Sequence, residues 1–288
     1  MIDFVQNTLD GLAAGAAYAL LAVGFTLIFG VLRRANLSYG PAIMFGAYLA
    51  TWASFSFQGL LLLAAVAIAG TVLAGVYVER LCFAPHRKGA AAAAMVASFA
   101  IWMQLEELAT LLLPRHLYAF PALYEGGPLT FGPFFLRLEA VLMLLAAVAV
   151  CFAGWKMLYA TRFGVAVRAL IDDPLAAELS GIDVGALSLR IFALASAIGG
   201  LTGFLIVASH EQVTPMLGMW STLKGMLAMM LGGLGSLPGA VAGGLALGLI
   251  EAHSQWYLGP QFRDFVAYLL LFALLAARPP WMNTRSAY

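Results

Sequence analysis

From Leu12 to Leu32 this sequence carries no charged side chain. As α-helix, a run of that length crosses hydrocarbon about 30 Å thick, which takes roughly 20 apolar residues. Further apolar runs follow at Tyr39–Phe57, Leu60–Val78, Ala91–Leu113, Leu138–Tyr159, Ile191–Ser209, Trp220–Leu231, Pro238–Trp256 and Phe265–Ala277. In lipid each backbone amide must be satisfied within the protein, so such runs are expected as helices. Composition agrees: 63% of the 288 residues are hydrophobic and mean hydropathy is +0.93, beyond what a soluble core of this size reaches. The expected fold is an all-α integral membrane protein, a polytopic helical bundle of about 8–9 transmembrane segments with interrupted helices. Residues 1–288 form one transmembrane domain. Trp220–Leu231 is too short to span, covering only about 18 Å. It reads as a half-helix broken at Gly232-Gly233-Leu234-Gly235.

A net charge of +1 argues against a polyanion-binding role. Asp3 and Asp10, with no basic start before them, make the first apolar run a retained helix and not a cleaved signal. Cys82 and Cys151 lack metal-ligand spacing and read as small apolar fillers, so no metal site is expected.

Charge gathers instead between Ala160 and Arg190, which holds Arg162, Arg168, Asp172, Asp173, Glu178, Asp183 and Arg190. Flanked by two spanning runs, this stretch is expected as a water-exposed loop. Within it Asp173 reads as an N-cap, Pro174 as the first helical residue and Gly181 as the C-terminal stop. The short helix so defined, about Pro174–Ser180, carries Leu175, Ala176, Ala177 and Leu179 beside Glu178. A short, small-residue helix at a membrane surface has no reason to exist alone. Docking onto a partner is the expected role, with Ala176 and Ala177 small enough to lie close in a groove.

Basic residues orient the chain. With the N-terminus outside, the cytoplasm receives Arg33, Arg34, Arg80, Arg87, Lys88, Lys156, Arg162, Arg168, Arg190, Arg278 and Arg285, and the exterior only Arg115, Arg137, Lys224 and Arg263. The Ala160–Arg190 loop and the C-terminus then lie in the cytoplasm, and Pro114–Pro133 lies outside.

Several features carry two readings. Gly11, Gly15 and Ala19 form a small-residue face on the first helix, suited to intramolecular packing or to a second membrane subunit. Leu37–Gly46 and Leu234–Gly243 share a serine-proline break that opens a small-residue helix, a weak internal repeat of the kind transporters use around a solute path. Asn36, Ser38, Tyr39 and Gly40, before Pro41, form either a tight inner turn or a lining of that path. Glu106, Glu107 and Glu251 are ionisable residues in apolar runs, with structural-pair or pathway roles. Ser236 and His253 raise an intramembrane hydrolase, but no acid is evidently placed to orient the histidine. A nucleotide-binding Gly-x4-Gly-Lys-Ser/Thr loop is lacking, so ATP-driven movement would need another chain.

Four ordered stretches resemble one family. They are Gly11-Leu-Ala-Ala-Gly15-Ala-Ala-Tyr18 through Gly24 and Leu27-Ile-Phe-Gly30-Val-Leu-Arg33; Arg162-Phe-Gly164 through Asp172-Asp173-Pro174, Ala176-Ala177 and Gly181-Ile182; Leu231-Gly-Gly-Leu-Gly-Ser-Leu-Pro238-Gly239 through Gly243-Gly244; and Gly248-Leu-Ile-Glu251 with Tyr257-Leu-Gly. They look like the branched-chain amino acid ABC-transporter permeases of the LivH type. The resemblance implies a non-catalytic subunit of an importer in a bacterial-type inner membrane. It further implies a second, homologous permease, two ATPase subunits that bind ATP and Mg, and an external solute-binding protein. Asp173, Pro174, Ala176, Ala177, Glu178 and Gly181 would couple the chain to an ATPase, the alanines and glycine matching the small-residue signature of such loops. A self-sufficient secondary transporter of small solutes is the alternative. Family members commonly read Asn-Phe-Ala-His-Gly-Glu where this chain has Asn36-Leu-Ser-Tyr39-Gly-Pro41. That departure widens the expected solutes from leucine, isoleucine and valine to amides, urea and aromatic or other small organic acids.

Overall fold

The structure, a computed structural model, describes residues 2–32, 36–57, 59–86, 91–114, 117–123, 129–131 and 134–277. Each expected apolar run is helical. In order, the helices are α1 (Ile2–Leu32), α2 (Tyr39–Ser54), α3 (Leu60–Val78), α4 (Ala91–Leu112), α5 (Leu138–Ala160), α6 (Arg162–Asp172), α7 (Pro174–Leu179), α8 (Val184–His210), α9 (Met216–Gly232), α10 (Leu237–Leu258) and α11 (Phe262–Ala277). A π-helical turn, Glu79–Phe83, extends α3. Short strands β1 (Tyr118–Ala119), β2 (Leu129–Phe131), β3 (Phe134–Leu136) and β4 (Gln212–Val213) pair antiparallel as β1 with β4 and β2 with β3, Tyr118 facing Val213 and Thr130 facing Phe135.

Among the described residues, α1, α3 with its π-turn, α4, α5 and α8 are long and apolar enough to cross a membrane. The bent pair α9 and α10 adds a sixth candidate if taken as one broken span. Its bend is 117°, at Gly233 (φ +93°) and Gly235 (φ +86°), a backbone region that side chains disfavour. The break falls where the glycine run predicts it, but α9 is longer than expected. It has 17 residues, about 25 Å of helix, because Met216, Leu217, Gly218 and Met219 before the expected run and Gly232 after it are helical too. Ser236 restarts the chain as α10 by accepting a bond from the Gly239 amide at 3.1 Å.

The core lies around α1, buried from Gly15 to Ile28, and α8, buried along most of its length. The α1 face of Gly11 and Gly15 is occupied by α10. A Cβ on Gly244 would stand 2.3 Å from the Ala19 nitrogen, and one on Gly248 2.3 Å from the Gly15 nitrogen. Of the two readings of that face, the structure has the intramolecular one: backbones approach this closely only through glycine. By contrast, α4 and α5 turn Met103, Leu111, Leu145 and Phe152 outward, apolar faces fit for lipid or a neighbouring subunit.

Helix ends gather on two opposite faces. On one, Gln6 at the start of α1 donates to the Phe135 carbonyl before α5 at 2.8 Å. There too Asn7 bonds His253 near the end of α10, at 3.1 Å, and Arg137 lies 3.8 Å from Glu211 after α8. On the other, Ser38 at the start of α2 bonds the Ser98 carbonyl of α4, and Ser188 near the start of α8 donates to Glu79 at 3.3 Å. Helices α6 and α7 belong to this second face. Arg33, Arg34, Arg87, Lys88, Arg115, Arg278 and Arg285, used above for orientation, lie outside the described residues.

Candidate functional site

Glu251, about two turns from the end of α10, is 1% exposed. A carboxylate taken out of water costs several kcal/mol by order of magnitude unless it is paired and hydrogen-bonded. Here it is fully engaged. One oxygen accepts from Lys224 Nζ of α9; the other accepts from Tyr18 Oη of α1 at 2.6 Å and from Arg263 Nε of α11 at 3.0 Å. Arg263 Nη2 also donates to Tyr18 Oη at 2.8 Å, and Lys224 Nζ to Asp264 Oδ1 at 2.6 Å. Lys224 Nζ further lies 5.8 Å from the ring centres of both Tyr18 and Tyr268, within cation–π reach. Two cations and two carboxylates leave the cluster neutral, and it ties together four helices.

The cluster was only partly foreseen. Glu251 was singled out, with a structural pair as one of its readings, and the structure gives it that pair. Lys224, an exterior basic residue by its place in the sequence, is instead fully buried in mid-α9, which removes it from that tally. The exterior placement takes Trp220–Leu231 as a crossing that starts outside, and overlooks that a charge within such a run pairs with a neighbouring helix. A lone lysine in one apolar run and a lone glutamate in the next was the available signal, since intramembrane charges pair with one another. Tyr18, Arg263 and Asp264 gave no such signal, being brought in by tertiary packing.

Arg263 also stands where three cavities meet. The first, about 230 Å³, lies among α1, α5, α8 and α9 and sets Asp10, Tyr18, Glu139, His210 and Trp220 against apolar walls that include Ala14, Met143 and Ile206. A second of about 230 Å³ shares His210, Trp220 and Arg263 with it and adds Gln212 and Thr214. The third, about 400 Å³, shares Asp10 and Arg263 and runs past Asn7, Glu251, Gln255 and Trp256. All three lie toward the face that carries the start of α1, opposite α7. A space with apolar walls and a few convergent polar groups is the general form of a small-molecule site.

None of the three cavities is lined by Asn36, Ser38, Tyr39 or Gly40. These residues form a packed turn. Asn36 accepts from the Ser38 amide at 3.0 Å, Tyr39 Oη donates to the Ala195 carbonyl of α8 at 2.9 Å, and its ring meets Phe25 edge-on at 4.7 Å. A Cβ on Gly40 would stand 2.1 Å from the Gly218 carbonyl of α9. Glu106 accepts from Trp102, one turn back on α4, at 2.9 Å, and Glu107 is exposed. Ser236 and His253 sit at opposite ends of α10, about 25 Å apart along the axis, and His253 bonds Asn7 and Thr8 instead.

At the other face α7 forms as the caps require. Asp173 Oδ1 accepts from the amides of Leu175 at 2.8 Å and Ala176 at 3.1 Å, and Gly181 ends the turn at φ +84°. Ala177 is buried against its own chain, whereas Leu175 is 65% and Leu179 81% exposed. Of the two alanines, only Ala176 remains on the outward surface.

A family model described as the permease component of branched-chain amino acid transport systems matches residues 7–275. The chain belongs to this family. It is 29% identical to the LivH permease protein of a high-affinity branched-chain amino acid transport system from Escherichia coli, over 96% of this chain and 94% of that one. Identity to BraD of Pseudomonas aeruginosa, named likewise, is 27% over 96% and 94%. Among solved structures, an inward-facing metal-chelate type ABC transporter aligns with a TM-score of 0.56 and 14% identity, covering 94% of this chain and 86% of that one. The permease therefore shares its fold with transmembrane chains of ABC transporters.

Proposed function

We propose that the chain is the transmembrane subunit of an ABC importer for an amino acid or a similarly small polar or organic solute. It pairs with a second, homologous permease, is driven by two ATPase subunits that bind ATP and Mg, and receives solute from an external binding protein. In this reading the chain crosses the membrane nine times, from an external N-terminus to a cytoplasmic C-terminus. The alternation of helix ends between two faces supports that count, as does the basic loop around α7.

Beyond the family match, one observation carries the coupling role: a doubly capped six-residue helix presents Leu175 and Leu179 to water. Exposed leucines on a short, capped helix fit an apolar groove. Asp173, Pro174, Glu178 and Gly181 hold its shape and Ala176 allows close approach, while Ala177 is turned inward and buried. The turn at Asn36, Ser38, Tyr39 and Gly40, wedged between α1, α8 and α9, borders the path as a structural element that sets helix separation. Glu106 acts locally on α4, and Glu251 belongs to the cluster on the outer side.

The test is reconstitution with the partner subunits. The double variant Leu175→Asp/Leu179→Asp is expected to leave the membrane subunits folded, but to lose ATPase co-purification and ATP-driven uptake. Uptake that persists without ATP or ATPase would favour a self-sufficient carrier instead.

A further inference from the structure

We infer that Arg263 and Asp10 form a solute subsite on the outer side of this chain, recognising a zwitterion with a short apolar side chain. The inference rests on the transport reading above and assigns residues to it.

The guanidinium of Arg263 is held from behind. Its Nε is fixed by buried Glu251 and its Nη2 by Tyr18 Oη, and neither bond engages Nη1. So braced, the arginine is held in place while its side chain stays 36% exposed and lines all three cavities. Glu251 is already shared with Lys224, and Lys224 with Asp264, so the cluster is neutral as it stands. An incoming carboxylate would meet a donor fork aligned in advance, the geometry arginine offers to carboxylates. Opposite charge is supplied by Asp10, one of the lining residues that the two cavities on either side of α1 share with Arg263. Asp10 is exposed and its carboxylate is held by Gln6 at 3.1 Å, leaving oxygen capacity for an ammonium group. Ala14, Met143 and Ile206 line the first of these cavities with them, a wall for an aliphatic side chain. Tyr18 is a positioning residue here: it orients the guanidinium and keeps Glu251 from capturing the whole fork.

The assay is equilibrium binding of tritiated L-leucine to the purified, complete transporter without its binding protein. Leucinamide, which lacks the carboxylate, and 4-methylpentanoate, which lacks the ammonium, serve as competitors. Wild type is expected to bind leucine saturably and each competitor about tenfold or more weakly, the scale of one charged hydrogen bond. Arg263→Lys should weaken leucine by at least that factor. Because this change disturbs the buried cluster, Tyr18→Phe, which keeps every charge, provides the second reading. It should weaken leucine and narrow the gap between leucine and leucinamide. Asp10→Asn should erase the preference for leucine over 4-methylpentanoate. Absence of saturable binding in wild type overturns the subsite, as do wild-type affinities for all three compounds in both Tyr18→Phe and Asp10→Asn. ATP-driven uptake measured on the same preparation separates the two readings. Uptake without the subsite leaves the importer standing, whereas no uptake refutes the importer itself.

Discussion

Glu251 and Lys224 are partners, but their removal should not be equivalent. Glu251 accepts from Lys224, Arg263 and Tyr18 at once. Glu251→Leu therefore strands two cations and a hydroxyl, and Arg263 is only partly able to reach water. Lys224→Met takes away a single donor, leaving Glu251 with Arg263 and Tyr18, while the partner carboxylate of Asp264 is 58% exposed and remains hydrated. Breaking a buried ion pair from one side typically costs 3–5 kcal/mol. Glu251→Leu is expected near that figure and Lys224→Met well below it, read as the fall in thermal midpoint of the detergent-purified protein. A larger fall for Lys224→Met would mean that the lysine, not the glutamate, is the hub. Residue-scale chemistry was the part least legible in the sequence. The carboxylate was visible because it sits alone in an apolar run. Its partners were not, since Tyr18 and Arg263 lie 245 positions apart and nothing local announces that four helices converge.

At the scale of elements the sequence was far more informative. Apolar length predicts each of the long helices, and Asp173-Pro174 with Gly181 predicts α7 nearly to the residue, because caps and φ preferences are local properties. Where the reading of α9 falls short, it falls short at the start: Met216, Leu217, Gly218 and Met219 continue the helix toward Pro215, and no local signal marks that earlier start. The α1–α10 crossing offers a direct check. Its glycines put backbone against backbone, so Gly248→Val must drive the helices apart. Overpacking of this kind costs about 1–3 kcal/mol, and here it also separates Tyr18 from Glu251. The expected result is a marked loss of folded yield for Gly248→Val. Gly181→Val is strained only by its positive φ, has no atom within 4 Å of the added Cβ, and should lose about 1–2 kcal/mol while expressing normally. Comparable yields for the two variants would argue that the crossing is looser than the structure has it.

For the whole molecule, the question is which face meets the cytoplasm. The face with α7 carries Arg162, Arg168 and Arg190, and the opposite face gathers Arg137, Arg263 and the three cavities. Lys224 no longer counts, being buried in a neutral cluster, so the described residues lean further toward a cytoplasmic α7. The same arrangement makes functional sense. Solute would enter beside Arg263 on the outer side, and force would arrive at Leu175 and Leu179 on the inner side, with α8 running from one face to the other. Single cysteines at exposed positions report this. Ser180 follows α7 and Gln261 precedes α11, and both are exposed. In a background with Cys82 and Cys151 replaced by alanine, Ser180→Cys and Gln261→Cys should label from opposite sides of intact cells. A membrane-impermeant maleimide should reach Gln261→Cys from outside, and Ser180→Cys only after permeabilisation. Labelling of both from outside would break the alternation of helix ends and, with it, the nine-pass path proposed here. The reverse pattern would keep the fold but turn the cavities toward the cytoplasm, where a binding protein cannot deliver to them.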